Sequence, residues 1–154
     1  MLLNEPRAQA LMEQHQVAAL VATAAENVTY TSGYWAMSQW IRRGPQAYAV
    51  HPAAGHGAPC IIASTGALDL VADQDPPVKE VHRYGFFALE VEAEATLEAR
   101  DARLRELAGT DDEGDPVTAL VSVLRARGLD RERVGIDEYG IPPPYLTRLR
   151  EALP

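Results

Sequence analysis

Gln16-Val17-Ala18-Ala19-Leu20-Val21-Ala22-Thr23 holds an unbroken apolar run from Val17 to Ala22, with no polar alternation. A strand with one wet face alternates. A short run that does not alternate reads as a strand covered on both faces, as central strands of α/β sheets are. On its amino-terminal side, Asn4 can cap a helix with Pro6 in the opening turn, where a missing N–H costs little. Ala8, Leu11, Met12 and His15 then share one face, so the spacing predicts a helix that ends near Gln16 and packs across the strand. On the other side, Ala47-Tyr48-Ala49-Val50 and Cys60-Ile61-Ile62-Ala63 read as two further short strands. The glycines and prolines of His51–Pro59 force a turn between them, so the two pair as a hairpin.

The second half follows the same logic. Thr65 to Leu70 is weakly helical, Pro76-Pro77 is a break, and Val78–His82 reads as a strand with one wet face. Phe87–Val91 is a further short strand, followed by an Ala/Glu/Arg-rich helix reaching Leu107. Asp115 caps and Pro116 opens a helix whose residues Val117, Leu120, Val121 and Leu124 recur at helical spacing, and Gly128 stops it. Arg133-Val134-Gly135-Ile136-Asp137 is a strand. After Pro142-Pro143-Pro144 comes a last helix with Leu146, Leu149 and Leu153 inward. The fold class expected is α/β, a mixed β-sheet flanked by helices.

The 154 residues, 47% of them hydrophobic, suffice for one domain with a core of its own, residues 1–154. The net charge of −8 repels phosphate backbones, so no nucleic-acid partner is expected. No apolar run is long enough for a bilayer, so no membrane is expected either. The single cysteine, Cys60, cannot form an internal disulfide and sits within an apolar run. A buried thiol and a reducing, cytoplasmic setting follow as expectations.

Two-metal hydrolysis needs several convergent carboxylates, usually with a histidine. Glu90, Glu92 and Glu94 would share one strand face but repel one another, which suits a solvated edge. The acidic loop Asp111, Asp112, Glu113 and Asp115 lacks the ligand spacing of a calcium loop. His51 and Gly55-His56-Gly57 lie in the turn between strands, with no carboxylate ladder nearby in the sequence. No nucleophile elbow, phosphate-binding loop or Cys-x-x-Cys pair is present. No catalytic residue and no bound metal are therefore expected, and the chain alone is expected to be inactive. Between Gly33 and Gly44, by contrast, lie Tyr34, Trp35, Trp40, Arg42 and Arg43. Exposed aromatics and arginines form recognition surfaces. The alternative is that Tyr34 and Trp35 pack inside and the arginines are ordinary surface charges.

Gln16–Thr23, followed by Ala25-Glu26-Asn27-Val28-Thr29-Tyr30-Thr31-Ser32-Gly33-Tyr34, resembles the opening of the creatinase, prolidase and aminopeptidase P family. Arg133–Asp137 and the helix after it resemble the end of that family's N-terminal domain. The resemblance implies a ribonuclease H-like mixed sheet, standing before a "pita-bread" catalytic domain. That second domain holds two Mn, Zn, Co or Fe ions through Asp, Asp, His, Glu and Glu, and it is expected beyond Pro154 on the same polypeptide. The parent implied is a homodimeric, metal-dependent Xaa-Pro peptidase, a hydrolase acting on peptides. Its N-terminal domain supplies dimer contacts and caps the substrate. Trp40-Ile41-Arg42 stands where the family has an aromatic-x-Arg pair on the substrate carboxylate, with Tyr34 and Arg43 as further candidates. A creatinase-like amidinohydrolase or lyase, or a free-standing ligand-binding or interaction module, are the alternatives.

Overall fold

The computed structural model describes residues 2–41, 44–87 and 96–153. Helix α1 (Glu5–His15) begins as expected: Asn4 Oδ1 accepts from the Arg7 amide at 3.2 Å, and Pro6 lies in the first turn. Gln16 ends it in the left-handed conformation. Its inward face is narrower than the spacing suggests, since Ala8 and Met12 are buried but Leu11 remains 43% exposed. The apolar run forms strand β1 (Ala19–Ala22), with Ala19 and Val21 in the core on one side of the sheet and Ala22 on the other. It is covered on both faces.

Strands β2 (Tyr48–Pro52) and β3 (Cys60–Ser64) pair antiparallel, which is the expected hairpin. β2 also runs antiparallel to β1, while β4 (Glu80–Tyr84) joins β3 in parallel and β5 (Val134–Ile136) joins β1 in parallel. Among the described residues the sheet is thus mixed and five-stranded, in the order β4-β3-β2-β1-β5. β4 starts two residues later than Val78–His82 predicts, because Cys60 faces Glu80 in the parallel register and Val78 is drawn into the core ahead of it.

On one face lie α2 (Ala25–Ser32), the short α3 (Met37–Trp40), α4 (Leu68–Gln74) and α5 (Ala99–Ala108). There Val28, Leu68, Val71 and Leu107 cover Ala22, Ala49, Ile61 and Ala63. The helical stretch from Thr65 opens as a 3-10 turn, Thr65–Ala67, before α4. On the opposite face lie α6 (Pro116–Ala126) and α7 (Pro143–Ala152). Val117, Leu120, Leu124 and Leu149 seal Val21, Val50, Cys60 and Ile62 there. Each fully buried leucine contributes roughly 2 kcal/mol. Leu146 and Leu153 pack partly buried against that core. The α/β class and the helix-flanked mixed sheet are those the sequence implies. No helix among the described residues is long and apolar enough to cross a membrane. Residues 88–91 of the strand expected at Phe87–Val91, and Glu90, Glu92 and Glu94, lie outside the described residues.

Candidate functional site

The chain leaves β1 through Thr23 and Ala24 and enters α2 at once. Ala24, the N-cap residue, has no side chain able to bond the first turn's amides. Asp137, just past the end of β5, instead holds the turn that leads into the helix. Asp137 Oδ1 accepts from the Thr23 amide at 2.8 Å and the Ala24 amide at 3.0 Å, and Asp137 Oδ2 accepts from Asn27 Nδ2 at 2.5 Å. The Thr23 hydroxyl also donates to Asp137. A carboxylate fits this place, since the amino end of a helix presents unpaired N–H groups and partial positive charge.

Beside this junction opens a cleft of about 500 Å³, lined among others by Glu26, Ser38, Gln39, Trp40, Gln46 and Tyr139. It lies at the carboxyl end of β1, where open α/β sheets commonly take their ligands. Gln39 Nε2 donates to the Thr23 carbonyl at 2.8 Å, which ties α3 to the end of β1. Gln39 Oε1 is buried without a hydrogen-bond partner among the described residues. Trp40 is 44% exposed, and its indole N–H donates to Thr29 Oγ1 at 3.3 Å. Tyr139 is also largely exposed. Gly140 packs so closely on the Thr23 backbone that a Cβ there would overlap it. The cleft can therefore offer amide, hydroxyl and indole groups, with one carboxylate at Glu26.

The structure separates the residues singled out between Gly33 and Gly44. Trp40 lines the cleft, whereas Tyr34 is 1% exposed in the core, where burial and then the nearby Asp69 carboxylate push its phenol up to about 12. Trp35 is half-exposed, its backbone held from both sides by the Gln74 amide. Arg42 and Arg43 lie outside the described residues, although Gly44, next along the chain, lines the cleft. Asp137, Gln39, Gln46 and Tyr139 were not legible as site residues. The one available signal was the Asp closing the Arg133–Asp137 strand.

His51 and two carboxylates of the acidic loop have protein partners. His51 is buried in β2, its Nε2 3.2 Å from Gln9 Nε2 of α1, and burial lowers its pKa against the pull of Glu5. Asp112 Oδ1 accepts from the Gly85 and Gly114 amides. Asp115 caps α6 through the Val117 and Thr118 amides and pairs with Arg148 at 2.8 Å. These carboxylates aim at separate protein partners, so they do not fit a nest for two cations. A different group converges on β3 and β4. Cys60 Sγ, a Glu80 carboxylate oxygen and a His82 ring nitrogen lie within 4.8 Å of one another. Cys60 is the buried free thiol expected, pushed up to about 12 chiefly by burial. Twenty residues apart in sequence, Cys60 and Glu80 meet only through the parallel register.

A search of curated protein sequences gives no match for this chain. Among solved structures, the fold is similar to that of a dipeptidase from Pyrococcus horikoshii OT3, with a TM-score of 0.60 and 11% sequence identity. The superposition takes in 97% of this chain and 32% of the dipeptidase chain, so this chain spans about a third of that protein's length. At such identity the likeness is one of fold. The sequence itself matches the family model for the creatinase/prolidase N-terminal domain over residues 6–154, and the chain belongs to that family.

Proposed function

We propose that this chain is the non-catalytic N-terminal domain of a metal-dependent Xaa-Pro peptidase, contributing dimer contacts and a cap over the substrate. The observation that supports the reading most is the half-exposed Trp40 at the rim of a polar cleft, within a family match that spans nearly the whole chain. The pair of divalent metal ions (Mn, Zn, Co or Fe) belongs, in this reading, to a catalytic domain on the same polypeptide. Hydrolysis takes place there, in a cytoplasmic homodimer.

This chain's own part is positional. The Thr29 hydroxyl, itself bonded to the Ala25 carbonyl at 3.0 Å, holds the Trp40 indole at the cleft. From there the indole closes over a peptide and keeps water from it. Arg42, two residues on, grips the peptide carboxylate through two parallel hydrogen bonds, a geometry that a guanidinium supplies and an ammonium does not. Arg43 is the neighbouring control.

The test is steady-state kinetics on the parent polypeptide with an Xaa-Pro dipeptide. A charge-assisted pair of hydrogen bonds is worth roughly 1.5–3 kcal/mol, so Arg42→Ala should lower kcat/KM about tenfold or more, chiefly through KM. Trp40→Ala should act in the same direction, and Arg43→Ala should leave the kinetics near the parent's. Unchanged kinetics in Arg42→Ala would remove that residue from the site.

A further inference from the structure

Cys60 opens β3 and stands directly opposite Glu80 on β4, while His82, two residues further along, projects from the same face as Glu80. His82 Nε2 is 2.9 Å from Glu80 Oε1, and its Nδ1 is 3.2 Å from Glu113 Oε1 in the loop before α6. Glu113 can thus accept a hydrogen bond from the Nδ1–H and leave the Nε2 lone pair facing Glu80 and the Cys60 sulfur. A carboxylate behind an imidazole in this way orients metal-binding histidines and sets their tautomer.

The other neighbour is Arg127, at the end of α6, whose side chain is 10% exposed. Its Nη2 donates to Glu80 Oε1 at 2.6 Å and its guanidinium also lies against the Cys60 thiol, while its Nη1 is buried with no hydrogen-bond partner among the described residues. The guanidinium thus holds the place between Cys60 and Glu80 that a cation would take. Lying at a helix terminus beside the exposed Arg125, Ala126 and Gly128, its stem can turn toward water.

We propose that Cys60, Glu80 and His82 form a binding site for one thiophilic divalent cation of the zinc class, with Glu113 as the carboxylate behind His82 and Arg127 as the group the cation displaces. The donor set is thiolate, imidazole and carboxylate, which zinc accepts in tetrahedral sites with a fourth position left to water. Zinc–ligand bond lengths put neighbouring ligand atoms about 3.5 Å apart, so a sulfur within 4.8 Å of the others requires closure by roughly 1 Å. Glu80 and His82 are only partly buried and can supply that movement, while the sulfur forms a fixed floor. The cation would tie the edge strand β4 to β3.

Titration of the full chain with Co²⁺ tests the proposal. Cys60 is the chain's single cysteine, so a thiolate-to-cobalt charge-transfer band in the near ultraviolet has one source. The expected result is one equivalent of Co²⁺ giving that band, displaced stoichiometrically by Zn²⁺ and absent from Cys60→Ser. His82→Gln should abolish tight binding, and Glu113→Gln should weaken it about tenfold or more. Arg127→Gln should tighten it, because the competing cation is gone. The His82 and Glu113 changes are made on partly exposed side chains, so they decide the matter even if Cys60→Ser fails to fold. Absence of the band in both the native chain and Arg127→Gln, or affinities unaltered by His82→Gln or Arg127→Gln, would overturn the proposal.

Discussion

Asp137 does for α2 what no neighbouring residue can. Its carboxylate takes the Thr23 and Ala24 amides and the Asn27 side chain, and thereby fixes the angle at which the chain turns from β1 into the helix that carries Thr29. Asp137→Ala should lower stability by about 1–3 kcal/mol in urea unfolding, the range for leaving hydrogen-bonded groups without their acceptor. An unchanged midpoint would show that the junction is held by something else. That role was hidden in the sequence, where Asp137 reads only as the end of a strand. Asp137 lies 113 residues along the chain from Ala24 and 114 from Thr23, and only the parallel pairing of β5 with β1 brings them together.

At the scale of elements, α6 and α2 show what local sequence can and cannot reveal. α6 carries all its signals within itself: Asp115 as cap, Pro116 in the first turn, apolar residues at helical spacing, and Gly128 with a positive φ just after the end. It forms where the spacing puts it. α2, Ala-Glu-Asn-Val-Thr-Tyr-Thr-Ser, has β-branched residues, no cap of its own and a weak apolar stripe, so sequence periodicity assigns it no element. Its helix is held by the Asp137 contacts to the turn before it and by Val28, wholly buried against the sheet. Gly33 closes it at φ +80, and a Cβ there would meet Pro77 Cδ at 2.6 Å.

The α6 cap also carries a pH dependence. Burial alone would raise the Asp115 carboxyl, but hydrogen bonds from Arg148, Thr118 and the Val117 amide bring it from 3.8 down to about 2. The folded protein therefore binds this proton less readily than the unfolded chain. The stability so gained is fully present above pH 3.8 and is lost as the pH falls toward 2. Thermal melts across that window should fall less steeply for Asp115→Asn, whose side chain does not titrate. Parallel curves for the two proteins would contradict the assignment.

Across the whole molecule, the fold class was legible because patterning decides it: an apolar run covered on both faces, a hairpin and amphipathic helices admit few arrangements. The cleft was legible only through Trp40. Its other walls come from α3, the β2 entry and the segment after β5, brought together by strand order rather than by any motif. Tyr34 shows the reverse effect, since its place beside the exposed aromatics in sequence does not survive the turn that buries it after α2. The family match takes in residues 6–154, and the fold superposes on 32% of the dipeptidase chain. In the proposal above, this domain positions a peptide and leaves bond cleavage to a catalytic domain. The most direct test is to assay the purified chain for hydrolysis of Xaa-Pro dipeptides with saturating Mn²⁺. No turnover above the metal-only blank is the result predicted, and a rate comparable with that of intact Xaa-Pro peptidases would contradict it.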